Sequence, residues 1–208
     1  MPTVMKHRLS TPRESGSGWT SRLLSVFRCL VVVIAGCLAA TAAATTNPVP
    51  SEVSKALSQP RLAGEGTLRY FGFNIYDAKL WVGPGFDAKA FANYPIGLEL
   101  TYNRSFSREA IAERSVKEIE RQVTLTPEQA SQWTQELSAW LPNVESGERL
   151  IGIYIPKQGM RLWHGDQLLG TIKNPDLARY FFGIWLSEKT SEPRLRRALF
   201  ANLTEGSP

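Results

Sequence analysis

One run of strand-forming residues, Gly64 to Val82 (GEGTLRYFGFNIYDAKLWV), constrains the fold more than any other stretch of the chain. From Phe73 onward it alternates. Tyr76, Ala78, Leu80 and Val82 fall on one side, with Asn74 at the head of their row; Phe73, Ile75, Asp77, Lys79 and Trp81 fall on the other. A period of two in aromatic and β-branched residues describes a strand with one buried face. The phase changes at Gly72, so the run reads as two strands, 62–71 and 73–82, meeting at a bulge, a bend or a tight hairpin. Arg69, Tyr76, Asp77 and Lys79 bring polar groups into this apolar ribbon, and such groups are costly to bury without partners.

Ahead of the ribbon, residues 1–44 have the layout of a secretory signal peptide. Arg8, Arg13, Arg22 and Arg28 form a basic leader, Cys29 to Ala40 (CLVVVIAGCLAA) an apolar run too short to span a bilayer comfortably, and Ala42-Ala43-Ala44 a small-residue cleavage site. The leader is long, and Met5 is an alternative start. Ile34-Ala35-Gly36-Cys37 resembles a lipobox, so lipid attachment at Cys37 competes with simple export, and an uncleaved anchor is a third choice. The expected destination is the periplasm or the exterior. The net charge of +5 is mostly this leader, where Lys6, Arg8, Arg13, Arg22 and Arg28 stand against Glu14; about +1 is left for the remainder. The basic balance therefore gives no support to nucleic-acid binding. Both cysteines, Cys29 and Cys37, lie in the leader, so the rest of the chain has no disulfide and no thiol nucleophile.

Residues 45–60 (TTNPVPSEVSKALSQP) read as a polar, proline-punctuated linker, residues 61–202 as one domain, and 203–208 as a polar tail. Within the domain, a helical turn is expected at 87–92. Ile96 to Arg104 alternates again: Ile96, Leu98, Leu100, Tyr102 and Arg104 share a face, opposite a wet face of Glu99, Thr101 and Asn103. Ser107 caps a helix carrying Ile111, Ser115, Ile119 and Val123, and Thr126-Pro127-Glu128-Gln129 opens a second with the stripe Ala130, Trp133, Leu137, Trp140 and Leu141. Three short strands follow at 149–155, 160–164 and 168–172. Asn174-Pro175-Asp176 then caps a helix (LARYFFGIWL) so apolar all round that it must be sandwiched between layers. A short basic helix after Pro193 closes the domain. Strands joined by hairpin-length turns, interrupted and closed by helices, make an α+β fold with a largely antiparallel sheet.

Several chemistries have no residues to run on. His164 is the lone histidine after the leader and no Gly-x-Ser-x-Gly elbow is present, so a serine triad is not supported. No His/Cys/carboxylate cluster suggests a metal, and Gly64-Glu65-Gly66 opens a strand rather than the helix a phosphate site requires; no cofactor is expected. Glu113, Glu118 and Glu120 alternate with Arg114, Lys117 and Arg121, which reads as a solvated helix face.

The order and spacing of four stretches resembles the bacterial branch of the chalcone isomerase-like family. They are GEGTLRYFGFNIYDAKLWV, LELTYNRSFSREAIAERSVKEIERQ, LPNVESGERLIGIYIPKQGMRLWHGDQLLGTI and PDLARYFFGIWLSEKTSEPRLRRALF, and together they cover nearly all of 62–200. The resemblance implies an open-faced β-sandwich, a large antiparallel sheet covered by a helical layer with an apolar cleft between them. It further implies two known uses of that cleft. Plant chalcone isomerases close a chalcone to a flavanone, with an arginine on the first hairpin stabilising an enolate. Non-catalytic relatives bind fatty acids, with an arginine and a tyrosine holding the carboxylate. Arg69 and Tyr76 stand where those residues are expected. Phe71-Gly72 and Phe181-Phe182-Gly183 replace hydroxyl residues of the plant enzymes, which argues against flavonoid chemistry.

The expected function is thus an exported, non-catalytic protein binding a fatty acid or similar apolar acid. Arg69 and Tyr76 would hold the carboxylate, with Tyr102 and Arg104 as further handles. One alternative is an isomerase or intramolecular lyase on an unsaturated carbonyl compound, using Arg69 for charge and Tyr76 for proton transfer. The other is an envelope interaction module with Trp81, Trp163 and Trp185 as interface anchors.

Overall fold

The structure, a computed structural model, describes residues 47–203. The expected leader and Cys37 lie outside the described residues. Six strands, β1 (Arg61–Tyr70), β2 (Phe73–Val82), β3 (Ile96–Tyr102), β4 (Arg149–Ile155), β5 (Gly159–His164) and β6 (Gln167–Ile172), form one antiparallel sheet in chain order. Helices α2 (Arg108–Ile119), α3 (Pro127–Trp140), α4 (Pro175–Leu186) and α5 (Pro193–Leu199) pack on its inner face. Their starts follow the capping signals in the sequence. Ser107 accepts from the Ala110 amide, Thr126 and Gln129 close a capping box, and Asn174 accepts from the Leu177 amide. The core is the inner row of the sheet, Leu80, Val82, Ile96 and Leu98 among it, against Ile119, Leu137, Phe182 and Leu199 from the helices. The apolar α4 is sandwiched as expected. Phe182 meets the sheet at Gly152, and Gly183 backs against Gln122, whose side-chain amide donates to the Tyr180 carbonyl at 2.9 Å.

Three expectations need correction. The segment read as a linker is part of the fold: Ser51–Ala56 forms a helix, α1, lying on the outer face of the sheet. Val53 and Leu57, fully or almost fully buried, pack with Trp81, Ile151 and Ile153. Buried Glu52 accepts from Arg149 at 3.2 Å. The proline-rich flanks hid three apolar residues at useful spacing, Val49, Val53 and Leu57. The second correction follows from the first. The wet face of β3 is partly closed, because Glu99 is buried and accepts from the Trp81 indole at 3.1 Å. This contact also removes Trp81 as an interface anchor; Trp185 is buried as well. Leu57→Ala should cost about 2 kcal/mol or more in denaturant unfolding, as truncation of a buried leucine does; a linker residue would cost nothing measurable.

The third correction concerns register. The β1–β2 turn is a two-residue hairpin at Phe71-Gly72, both with positive φ (47° and 82°), which suits the twist of paired strands. The phase change lies one step further in. Leu68 opposes Tyr76 and Arg69 opposes Asn74, so Ile75 is an extra residue. Asn74 therefore pairs with Arg69 instead of heading the row of Tyr76.

Candidate functional site

Between the inner face of the sheet and helices α2 and α4 lies a cleft of about 360 Å³. Its floor is apolar: Leu98 and Leu100 from β3, Leu150 and Gly152 from β4, and Leu162 from β5. Phe181, Phe182 and Ile184 of α4 form the opposite wall. Exposed lining residues mark the mouth, which runs between Tyr70 at the end of β1 and Ala110 and Arg114 on α2. The volume falls within the range, about 300–1,000 Å³, of pockets that enclose small molecules.

Two of the four residues expected here reach the cleft. Tyr76 and Tyr102 are direct partners across β2 and β3, their rings edge to face at 5.8 Å. The Trp185 indole donates to the Tyr76 hydroxyl at 2.9 Å. That hydroxyl thereby keeps its own proton to donate. Tyr76 is only half-buried because it borders the open cleft, yet protein surrounds it closely enough that desolvation pushes its phenol well above the ordinary value; burial does the same to Tyr102. Both are neutral hydrogen-bond donors at physiological pH, and neither is poised to act as a base. The unfolded chain loses these protons near pH 10 while the folded chain keeps them, so stability is intact below pH 10 and falls as pH rises above it. The slope should approach about 1.4 kcal/mol per pH unit for each phenol. Denaturant unfolding across alkaline pH should show this decline, and Tyr102→Phe should flatten it.

The two arginines are elsewhere. Arg69 is exposed and donates from Nε to Asn74 Oδ1 at 3.1 Å; it does not line the cleft. Strand alternation is the reason. Gly64, Gly66, Leu68 and Tyr70 hold the inner face of β1, which leaves Glu65, Thr67 and Arg69 on the outer. Arg104 was expected to continue the inner row of β3, but the strand ends at Tyr102 and the chain bends, leaving its guanidinium over the Phe73 ring at 4.5 Å.

The cation at the cleft is Arg114, read from the sequence as part of a solvated face. Its Nη2 lies 2.7 Å from Glu118 Oε1, and Arg121 Nε stands 3.8 Å from the other carboxylate oxygen. Glu118 is mostly buried while Arg114 remains about half exposed. Ser115, Ser191 and Glu192 complete the polar lining. A sequence signal was available: Ile111, Arg114, Ser115 and Glu118 fall at i, i+3, i+4 and i+7, one face of α2. The charges interrupt an apolar stripe there and do not form a separate wet one. Arginine and carboxylate at a cleft mouth, with two neutral phenols inside, can hold an anionic or hydroxyl-bearing head on an apolar body.

Among the described residues no His/Cys/Asp/Glu group could hold a metal, and no helix is long and apolar enough to cross a membrane. A family model described as chalcone isomerase-like matches residues 43–201. The fold is similar to the crystal structure of a fatty-acid binding protein from Arabidopsis thaliana. The TM-score is 0.53 at 13% identity, over 69% of this chain and 87% of that one. At that identity the likeness speaks for the fold alone. No curated protein sequence matches the chain.

Proposed function

Because the chain belongs to the chalcone isomerase-like family, we propose that it is a non-catalytic binding protein whose cleft takes a fatty acid or similar apolar carboxylate. The observation carrying this reading is the composition of the cleft: an apolar floor and wall, with Tyr76 and Tyr102 as neutral donors and Arg114 at the mouth. The carboxylate would meet the guanidinium of Arg114, displacing part of its pairing with Glu118, while the hydrocarbon lies against Leu150, Leu162 and Phe182. The fatty-acid binding of the Arabidopsis protein that shares the fold supports the same reading. The lyase alternative relied on Arg69 to stabilise an enolate, and Arg69 is engaged with Asn74 outside the cleft. We also propose export, supported by the basic, apolar and small-residue order of residues 1–44. N-terminal sequencing of the fractionated protein tests it, and a cytoplasmic chain retaining its leader would end it.

Mass spectrometry of an organic extract from the purified protein tests the binding proposal. A co-purifying acid, stoichiometric with protein and absent from a mock purification, is the expected result. An extract indistinguishable from the mock, together with no uptake of added acids, would refute it.

A further inference from the structure

Among the described residues, three of the five exposed large hydrophobics sit within four consecutive positions, at the tip of the β1–β2 hairpin. Tyr70 is 49% exposed, Phe71 82% and Phe73 58%. Phe71 moreover occupies a left-handed conformation, φ 47°, which disfavours a bulky side chain and suits glycine or asparagine. An unfavourable backbone holding an aromatic ring out in water points to a use for that ring outside the fold.

Arginines surround the tip. Arg104 lies over the Phe73 ring at 4.5 Å, Arg114 near the Tyr70 ring at 5.8 Å, and exposed Arg69 is the last residue of β1 but one. Asp77, further along β2, is occupied by Thr67 and Asn103. Aromatic rings flanked by guanidinium groups match the boundary between acyl chains and anionic headgroups, where rings bury their apolar faces and arginines bind phosphate oxygens. The patch is also continuous with the cleft, since Tyr70 and Arg114 belong to both. We propose that the Tyr70–Phe73 hairpin tip docks the protein on an anionic lipid surface, with Arg69 and Arg104 meeting headgroups and the cleft mouth facing the bilayer. The docking stands on the hairpin and does not depend on what the cleft holds.

The test uses the full chain with vesicles of phosphatidylcholine alone or mixed with phosphatidylglycerol. The readout is hydrogen exchange at the Tyr70–Phe73 amides, which reports on the hairpin whatever the residues before 47 do. Exchange should slow several-fold with the anionic vesicles, much less with phosphatidylcholine, and recover at high salt. Phe71→Asn should remove the effect while melting no lower than the parent, because asparagine tolerates this backbone; Arg104→Ala should weaken it. Unchanged exchange with anionic vesicles overturns the proposal, and so does a Phe71→Asn variant that is slowed as much as the parent. Protection that appears without vesicles and rises with protein concentration would assign the tip to a second copy of the chain, and equally overturn lipid docking.

Discussion

Replacing Gly64 with valine should destabilise the domain by several kcal/mol and release α5 from the sheet. A Cβ at this position would lie 2.2 Å from the Ala198 carbonyl oxygen and 2.6–2.7 Å from the Leu199 carbonyl group. Those are backbone atoms at the end of a helix, and no rotamer change relieves the clash. Gly66 repeats the arrangement more gently, its Cβ meeting the Ala198 methyl at 2.9 Å and Leu195 Cδ1 at 3.0 Å. The two glycines therefore form a slot into which α5 settles against β1, burying Leu195 and Leu199. Each buried leucine contributes about 1.5–3 kcal/mol, so undocking α5 loses about 3–6 kcal/mol, a large part of the about 5–15 kcal/mol that holds a domain folded. Chemical denaturation should show the loss for Gly64→Val, with a smaller one for Gly66→Ala, where a side chain can yield. A Gly64→Val protein as stable as the parent would mean that α5 does not pack as described.

Arg114→Ala should weaken binding of an apolar acid by about ten- to a hundred-fold, the worth of a charge-assisted hydrogen bond to a carboxylate, about 1.5–3 kcal/mol. Arg69→Ala, on the outer face, should leave affinity unchanged. Glu118→Gln supplies the opposite sign. It removes a carboxylate that competes for Arg114 at 2.7 Å and repels an incoming anion, so affinity should rise. Displacement titration of a fluorescent fatty acid checks all three. A loss with Arg69→Ala and none with Arg114→Ala would put the headgroup outside the cleft mouth.

How much of this could be read in the chain depends on which residues report on their own surroundings. The caps at Ser107, Thr126 and Asn174 were plain, because a capping side chain and the amide it serves are local. The alternation of β2 and β3 was equally local, and with short turns it led to the antiparallel sheet. The inward direction of Tyr76 and Tyr102 is legible because they sit inside long alternating rows. The positions of Arg69 and Arg104 depart from the pattern for two different reasons. The phase of β1 is set by glycines that face a helix more than a hundred residues later, and glycines are silent in a hydrophobic pattern. The row through Tyr102 reads on in the sequence past the point where the chain bends. The place of Arg114 at the cleft rim is not legible, because a charged helix face looks the same whether it meets solvent or the rim of a cleft. The linker reading of 45–60 misses Val49, Val53 and Leu57 because they bury against the outer sheet face, a surface that the alternation of β3 marks as wet.

The most direct test of the account is photo-crosslinking with a fatty acid carrying a diazirine on its hydrocarbon chain, followed by peptide mapping of the adducts. Adducts should concentrate on the cleft-lining parts of β4, β5 and α4, around Leu150, Leu162 and Phe182, and disappear when unlabelled acid is added. Adducts scattered over the surface and indifferent to competitor would contradict an apolar-acid site between sheet and helices.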